Sequence, residues 1–512
     1  MRCETLRCSF FCVSVRAFNN VKWLLALFVL SSCSPSEETP SISDEVPVQA
    51  ASADSQDEIR YAWRDGQLAW HSWSEHASRE TLPDRPLLFY VAAPGCEGLF
   101  PMPSPLLREI VERRYVGVRV NPFVWPDAMR YLRPGGCPSL VIAHPDGRVV
   151  ARATDIPPRH VESYLLRLLA AFEKGHEALD AVERPAGVSH SVRVAHVYEA
   201  LLSAVDQRHG GLFGPRKYLH ARALRFLWLR SGVVGDTTTQ RVVEDALSAF
   251  LRSPLNDDQS GAFALYSYAP DWGHPAGERD VLNQAEVVQL LSDVGQQAPV
   301  DAWLSYVGDQ LRDARTGALR GRQVQLADGS WWTDPQIYVD RLASALLVLA
   351  RVAEERESPL AVSIADGALR FLVENCVDDR GIVSHICSAE GPRGLLVDQA
   401  LVALALHAWT PRSVYATAEV AQRTARFAEE FLYSDQRQQF AAGWRWPLPE
   451  DYAVDDDGYP VGNALMAEWY HVQGLSDRAD KLVDAARFVD GEHSVASHWA
   501  WIEMMRQRDK SQ

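Results

Sequence analysis

Residues 395–409 read LLVDQALVALALHAW, a stretch with helical periodicity and almost no polar face. Residues 342–346, LASAL, have the same character. A helix that is apolar all round is typical of the interior of a large fold, because no side of it is suited to water. We therefore expect both helices to be surrounded by other helices.

Twelve segments with helical periodicity follow one another in the C-terminal part of the chain. We assign residues 190–510 to this part, and twelve consecutive helices predict six αα-hairpins. The segments are 192–207, 219–231, 238–253, 281–296, 301–314, 334–354, 359–375, 395–409, 415–434, 461–474, 476–489 and 492–508.

The connections between these helices alternate in length. The helices with odd numbers, up to the ninth, are followed by long loops, whereas those with even numbers are followed by short ones. The long loops are 208–218, 254–280, 315–333, 376–394 and 435–460. In an up-and-down array all long loops lie on one face, and loops of this length are usually functional. We expect an (α/α)6 barrel whose even-numbered helices are inside and whose mouth lies at their N-termini.

The length and charge of the chain limit its class. It has 512 residues and a formal net charge of −16. This length predicts two or three domains. A nucleic-acid partner is excluded, because binding of nucleic acid needs a basic surface and no basic run exceeds two residues.

The N-terminus resembles a bacterial lipoprotein signal peptide over residues 1–32. An apolar run at 23–30 ends in Leu30-Ser31-Ser32-Cys33, and it is far shorter than the ~20 residues that span a bilayer. We expect a lipid on Cys33 that anchors the protein to a membrane of the bacterial envelope, on the non-cytoplasmic face. The sequence leaves inner and outer membrane open, and an ordinary secretory signal is the alternative.

Residues 33–58 separate this signal from the folded part. They contain six Ser, three Pro and seven Asp or Glu, with no Lys, Arg or aromatic residue. Such a segment buries too little apolar surface to order itself, so we predict a disordered acidic tether.

Residues 59–178 have the pattern of a small α/β domain. Apolar strand candidates alternate with helix candidates in the order βαβαββα, which is that of a thioredoxin fold. Gly135-Gly136-Cys137-Pro138 stands just before the third strand, where that fold places a cis-proline. The strand candidates are 87–91, 115–120, 139–143 and 148–151, and the helix candidates are 106–114, 126–132 and 158–174.

The spacing from Pro86 to Cys96 resembles that in the thioredoxin-like domain of spermatogenesis-associated protein 20 and its bacterial relatives. In that family a C-H-W-C motif begins ten residues after the proline. Here Leu99 replaces the second cysteine. The resemblance implies a degenerate thioredoxin-like domain in which the usual resolving thiol is lost.

The barrel half resembles the same family. Residues 261–285 align without a gap to its G-G-F-x-R-Y-S-V-D-x-x-W-x-V-P-H-F-E-K-M-L-Y-D-N-A motif and keep Trp272 and Glu278. Arg279 replaces the lysine of the motif, Ala276 its histidine, and Asn283-Gln284 its Asp-Asn pair.

Three shorter motifs extend this resemblance. Residues 210–218 resemble G-G-F-G-x-x-P-K-F and keep Lys217, while Val397-Asp398-Gln399-Ala400 resembles D-D-Y-A and Val461-Gly462-Asn463 resembles S-G-N. The family implies a thioredoxin-like domain joined to a barrel similar to N-acylglucosamine 2-epimerase and the six-hairpin glycosidases.

Four cysteines follow Cys33. In a thioredoxin fold the residue before the cis-proline Pro138 faces the first active-site cysteine, so Cys96 and Cys137 could bond. Three alternatives stay open for this pair: a structural disulfide, an exchange-active disulfide, or no bond. Cys376 and Cys387 flank a short turn, and we predict a structural disulfide between them.

A candidate site lies at the predicted barrel mouth. Carboxylates beside tryptophans suit a sugar site, because two carboxylates can act as acid and base while rings stack on the sugar. The alternative for Asp or Asn at a helix start is an N-cap. We expect no metal and no cofactor, since no metal-ligand spacing occurs. The candidate residues are Lys217, Trp272, Glu278, Arg279, Asn283, Asp340, Asp398 and Asn463, with Trp331, Trp332, Trp444 and Trp446 nearby.

Three functional hypotheses follow. The first is a non-catalytic scaffold that binds a protein partner in the envelope, which the lost cysteine and the lost histidine favour. The second is a barrel that binds or processes a carbohydrate. The third is thiol–disulfide exchange through Cys96 and Cys137.

Overall fold

A computed structural model describes residues 68, 70–73, 85–96, 104–145, 147–154, 156–173, 189–214, 216–387, 391–443, 461–489 and 493–511. They all belong to one compact unit of the chain, Tyr61–Gln512. The predicted signal, Cys33, the tether, Leu99, Trp444 and Trp446 lie outside the described residues. None of the described helices is long and apolar enough to cross a membrane.

The N-terminal part of this unit, which we call the sheet domain, contains a five-stranded sheet of order β1-β3-β2-β4-β5. Strand β3 runs parallel to β1 and β2, whereas β4 runs antiparallel to β2 and β5. The strands are β1 (His71–Ser72), β2 (Leu87–Val91), β3 (Val116–Val120), β4 (Ser139–Ala143) and β5 (Val149–Thr154).

Helices cover both faces of this sheet. They are α1 (Pro105–Glu109), continued by a π-helical turn at Ile110–Arg114, α2 (Pro126–Leu132) and α3 (Pro158–Glu173). The run Leu87–Val91 is apolar throughout because alternate residues enter two separate cores, Leu88 and Tyr90 on one face and Phe89 on the other. The observed order βαβαββα, after β1, is the predicted one, and the peptide bond before Pro138 is cis. Membership of the thioredoxin fold stays a prediction.

The described residues from 189 onward form twelve α-helices. They are α4 (Val194–Ser203), α5 (Ala221–Val234), α6 (Thr237–Arg252), α7 (Val281–Val294), α8 (Gln297–Tyr306), α9 (Val339–Arg356), α10 (Pro359–Asn375), α11 (Leu396–Trp409), α12 (Ala418–Phe431), α13 (Gly462–Val472), α14 (Ser476–Ala485) and α15 (His493–Ser511). A π-helical turn, Val307–Leu311, continues α8.

The odd-numbered helices from α5 to α15 form a closed ring. Each contacts the next odd-numbered helix, and α15 contacts α5. Helices α6, α8, α10, α12 and α14 each pack outside the helix before them, and α4 packs against α15. Helix α11 is buried on all sides, which explains its missing polar face. The predicted (α/α)6 barrel is therefore confirmed.

Short strands lie in the loops of the barrel. A three-stranded antiparallel sheet at the mouth joins β9 (Glu278–Asp280), β10 (Arg322–Gln325) and β11 (Trp331–Thr333). The sequence did not predict this sheet, because β9 and β10 pair across more than 40 residues and each is short. The remaining pairs involve β6 (Ser189–Ser191), β7 (Asn256–Asp257), β8 (Ala262–Phe263), β12 (Tyr433–Ser434), β13 (Gln439–Phe440) and β14 (Arg487–Val489).

The described cysteines form two disulfides, Cys96–Cys137 and Cys376–Cys387. The second joins two cysteines that are 11 positions apart in sequence, and the loop between them carries His385 at the barrel mouth. We predict that replacing Cys376 and Cys387 together by Ser lowers the free energy of unfolding by about 3 kcal/mol, since the unfolded chain gains loop freedom. Guanidinium denaturation followed by tryptophan fluorescence measures this. An unchanged midpoint would contradict a stabilising role for the bond.

Candidate functional site

Eight charged side chains gather where the mouth sheet meets the N-termini of the inner helices α7, α9 and α11. Most are buried, so each charge needs a partner. We call this group the mouth cluster: Glu278, Asp280, Arg322, Asp334, Asp340, Arg341, His385 and Asp398.

Arg322 on β10 is fully buried and connects the barrel to the sheet domain. Its Nε donates to Glu278 Oε1 at 2.8 Å, and its Nη2 donates to the backbone carbonyl of Pro94 in the sheet domain at 2.7 Å. Its Nη1 lies 3.9 Å from Asp334 Oδ2. The guanidinium is therefore held by barrel carboxylates and by one carbonyl of the other domain.

Arg341, in the first turn of α9, joins two carboxylates. Its Nη2 lies 3.0 Å from Asp280 Oδ2, and its Nη1 donates to Asp340. Asp280 also caps α7 by accepting from the Leu282 amide at 2.9 Å. Burial opposes ionisation of Asp340, but the Arg341 guanidinium prevails and holds the pKa of that carboxyl below its ordinary value.

His385 uses both ring nitrogens. Its Nδ1 lies 3.0 Å from Asp398 Oδ2, and its Nε2 lies 2.9 Å from the backbone carbonyl oxygen of Phe123 in the sheet domain. Burial lowers the pKa of His385, but the Asp398 and Asp340 carboxylates outweigh it and raise the pKa to about 9. At neutral pH the ring is an imidazolium that donates to both acceptors.

Phe123 of the sheet domain occupies part of the mouth. The guanidinium carbon of Arg322 lies 3.8 Å from the centroid of the Phe123 ring, and that of Arg341 lies 5.4 Å from the same centroid. The ring of Tyr338 lies 6.4 Å away. The sheet domain thus meets the mouth cluster with one aromatic ring and two backbone carbonyls.

Three of the residues proposed from the sequence belong to the mouth cluster: Glu278, Asp340 and Asp398. Arg279 also lies on β9 but on its opposite side, where it pairs with Asp257 and stacks on Trp331 with 3.7 Å between guanidinium and ring centroid. Asn283 is half-buried in the first turn of α7.

The other proposed residues hold the loops in place. Lys217 is buried and donates to Asp206 at 2.7 Å, with its ammonium 5.1 Å from the Trp272 ring centroid. Trp272 Nε1 donates to the His209 carbonyl at 2.7 Å. Asn463 accepts from the Phe440 amide and donates to the Phe440 carbonyl. These contacts fit structural roles.

A second group of charged residues lies inside the ring of inner helices. We call it the lumen cluster: Arg222, Arg225, Glu286, Glu468 and His498. Arg222 Nε lies 3.3 Å from Glu286 Oε1, and Arg225 pairs with Asp293. Four members, Arg222, Arg225, Glu286 and Glu468, line a cavity of about 50 Å³ together with Trp501, and His498 lies next to Glu468.

His498 is the least satisfied member of the lumen cluster. It is fully buried, and neither ring nitrogen has a hydrogen-bond partner among the described residues. Its Nε2 lies 3.6 Å from Glu468 Oε2. Burial, reinforced by Arg222, lowers the pKa of His498 to about 4, so the ring is neutral at pH 7. Burial raises the pKa of Glu286 despite its pairing with Arg222.

Sequence reasoning missed the lumen cluster, as well as Arg322, Arg341 and His385. The lumen residues sit on helices α5, α7, α13 and α15, where nothing in their spacing marks them. Closure of the ring alone brings α5, α7, α13 and α15 together. For His385, the sequence feature that indicates a functional position is its place in the long loop 376–394.

One trio could geometrically hold a metal ion. Ligand atoms of Asp340, His385 and Asp398 all lie within 4.8 Å of one another. Arg341 already neutralises Asp340, however, and His385 uses both nitrogens in hydrogen bonds. We interpret the trio as part of a charge network.

No protein-family model and no curated protein sequence matches the chain. Solved structures with a similar fold include a D-mannose isomerase, at 8% identity over 62% of this chain and 97% of the other, with a TM-score of 0.46. A cellobiose 2-epimerase from Spirochaeta thermophila is 13% identical over 62% of this chain and 98% of its own, with a TM-score of 0.46. A GH76 alpha-mannanase from Bacteroides thetaiotaomicron is 9% identical over 62% of this chain and 97% of its own, with a TM-score of 0.45.

We predict that the protein loses stability as pH rises through about 9. The folded protein binds the His385 proton more tightly than the unfolded chain, so this stability is complete below about pH 6.5 and lost above the folded pKa. It amounts to at most about 3 kcal/mol. The groups that act on this proton are Asp398, Asp340 and Arg341 in the barrel and Asp127 in the sheet domain.

Denaturation at pH 6 to 10 measures the effect. His385→Gln should flatten the fall between pH 6.5 and 9, whereas the control His407→Gln should leave it in place. An equally steep fall in both variants would contradict the assignment.

We predict that Asn463→Ala lowers the free energy of unfolding by about 3 kcal/mol, because two buried backbone groups of Phe440 lose their partner. The matched control is Asn375→Ala, since the exposed Asn375 makes one bond, to the Phe371 carbonyl. Chemical denaturation of both variants decides the point. Equal losses would argue against a structural role for Asn463.

Proposed function

We propose that the barrel binds a small carbohydrate in the lumen cluster and performs acid–base chemistry on it. The observation that carries this proposal is His498, a neutral, buried histidine without a hydrogen-bond partner, placed beside Glu468 and close to the ion pair of Arg222 and Glu286. A buried polar group without a partner costs free energy, and a ligand that supplies the partner recovers it.

The pKa shifts in the lumen cluster support acid and base roles. Burial favours the uncharged form of both groups, because it raises the pKa of Glu286 and lowers that of His498. An uncharged imidazole can accept a proton and an uncharged carboxyl can donate one. We therefore assign His498 as the base and Glu286 as the acid.

The lining of the lumen suits a sugar. Arginine and glutamate side chains offer donors and acceptors for hydroxyl groups, and Trp501, which lies under Arg225 at 5.4 Å, offers an apolar face. The cavity of about 50 Å³ is far smaller than the several hundred Å³ of a typical small-molecule site, so binding of a sugar requires the lumen to widen.

A second candidate function is a non-catalytic scaffold with a protein partner in the envelope. It is favoured by the mouth cluster, whose carboxylates are engaged by arginine or histidine and by the sheet domain. Under both candidates we propose that the sheet domain is a degenerate thioredoxin-like domain. We also propose that a lipid on Cys33 anchors the protein at the envelope; exchange chemistry at Cys96–Cys137 remains a third proposal.

We predict that a panel of mono- and disaccharides contains at least one sugar that raises the melting temperature and is chemically changed. Incubation in heavy water followed by NMR detects both hydrolysis and deuterium uptake at carbon. His498→Gln and Glu286→Gln should each slow the reaction by about 100-fold or more, the usual contribution of a general acid or base.

His407→Gln serves as the control and should retain the rate. A sugar that binds without being changed would leave a binding protein and remove the catalytic assignment. No shift in melting temperature for any sugar would contradict the proposal and favour the scaffold.

A further inference from the structure

Two short segments at one edge of the sheet domain contact the mouth cluster. The segment Pro94–Cys96 follows β2, and its Pro94 carbonyl accepts from Arg322. The turn 121–125 follows β3, and it inserts the Phe123 ring and carbonyl between Arg322 and His385. Both segments follow the carboxyl ends of neighbouring parallel strands, which brings them to the same edge of the sheet.

The turn that carries Phe123 is held in shape before it meets the barrel. The Asn121 side chain accepts from the Phe123 amide at 3.0 Å, and the Asn121 carbonyl accepts from the Trp125 amide at 2.9 Å. A preformed turn loses little conformational freedom when it binds, so the Phe123 ring and carbonyl are already positioned to contact the barrel.

The other segment touches β10 closely. Gly95 lies against Val324 so tightly that a Cβ added to Gly95 would stand 2.3 Å from Val324 Cγ1. The next residue, Cys96, is bonded to Cys137, which fixes this segment to the loop before β4. The contact with the barrel thus has a matching shape as well as matching polarity.

The barrel side remains well paired without the sheet domain. Glu278 pairs with Arg322, Asp340 and Asp280 pair with Arg341, and Asp398 pairs with His385. Separation of the two surfaces would leave these charges ion-paired. It would expose the Phe123 ring, the two carbonyls and the barrel residues beneath them, Tyr338 and His385, which are fully buried in the joined state. One cation–π contact and two hydrogen bonds from charged donors favour the joined state by about a thousandfold, which leaves a small open population.

We propose that the sheet domain is a lid on the barrel mouth, docked by Phe123 and by the Pro94–Cys96 segment and able to lift away, so that it controls entry to the lumen. The docking and lifting stand on the contacts above. The statement that the lid controls entry of a carbohydrate rests on the proposed function.

Hydroxyl-radical footprinting of the full-length protein tests the lid, with mass spectrometry reading oxidation at Phe123, Tyr338 and His385. Gly95→Ala should lift the lid, because the new Cβ collides with Val324. The matched control is Gly295→Ala. The φ angle is +80° at Gly295 and +89° at Gly95, so both variants carry the same backbone strain, but a Cβ added to Gly295 meets nothing within 4 Å. We expect oxidation to rise about tenfold at the three residues in Gly95→Ala and to stay unchanged in Gly295→Ala.

Two further variants guard against a folding defect. Phe123→Ala and the milder Phe123→Leu should both raise oxidation of Tyr338 and His385, whereas Phe213→Ala, at an exposed phenylalanine, should not. Denaturation midpoints within error of the native protein show that the fold is kept. Unchanged oxidation at Tyr338 and His385 in folded Gly95→Ala and Phe123→Leu would overturn the lid.

Carbohydrate binding by the same variants separates the two proposals. Raised oxidation with faster sugar binding supports both the lid and its control of entry. Raised oxidation without binding of any sugar supports the lid and overturns control of carbohydrate entry. Unchanged oxidation with sugar binding as in the native protein overturns the lid and leaves the lumen site in place.

Discussion

The Arg322 guanidinium is the point on which the described structure depends. It is fully buried, and a buried charge needs nearby opposite charges and hydrogen bonds. Its Nε and Nη2 make hydrogen bonds, whereas its Nη1 has only Asp334 Oδ2 at 3.9 Å. Two carboxylates of the barrel, Glu278 and Asp334, surround it, but they leave one face open. The sheet domain supplies the rest, a carbonyl from Pro94 and the ring face of Phe123. The mouth of the barrel is therefore completed by a different domain of the same chain.

The two charged clusters differ in how well they are compensated. In the mouth cluster, Glu278, Asp280, Asp340, Asp398, Arg322 and Arg341 all lie in ion pairs, and His385 is held as an imidazolium between an aspartate and a carbonyl. In the lumen cluster, His498 has no hydrogen bond among the described residues, and Glu286 has a raised pKa. An ion-paired network is typical of structural rigidity, whereas buried groups with perturbed pKa values are typical of candidate functional sites.

The fold could be predicted because its signals are local. The apolar stretch at 395–409 predicted a buried helix, and alternating loop lengths predicted inner and outer helices. The mouth sheet and the lumen cluster could not be predicted, because they depend on pairing between distant segments: Arg322 with Glu278, Phe123 with His385, and His498 with Glu468. Lys217 and Asn463 show the reverse error, since a buried polar residue that holds a loop looks the same in sequence as one that binds a ligand.

A double-mutant cycle between Phe123→Ala and Arg322→Met tests most directly whether the sheet domain completes the barrel mouth. Free energies of unfolding are measured for the native protein, each single variant and the double variant. We expect a coupling of about 1–2 kcal/mol, the size of a partly desolvated cation–π contact. Additive losses, with a coupling near zero, would contradict the account, because the two side chains would then stabilise the protein independently.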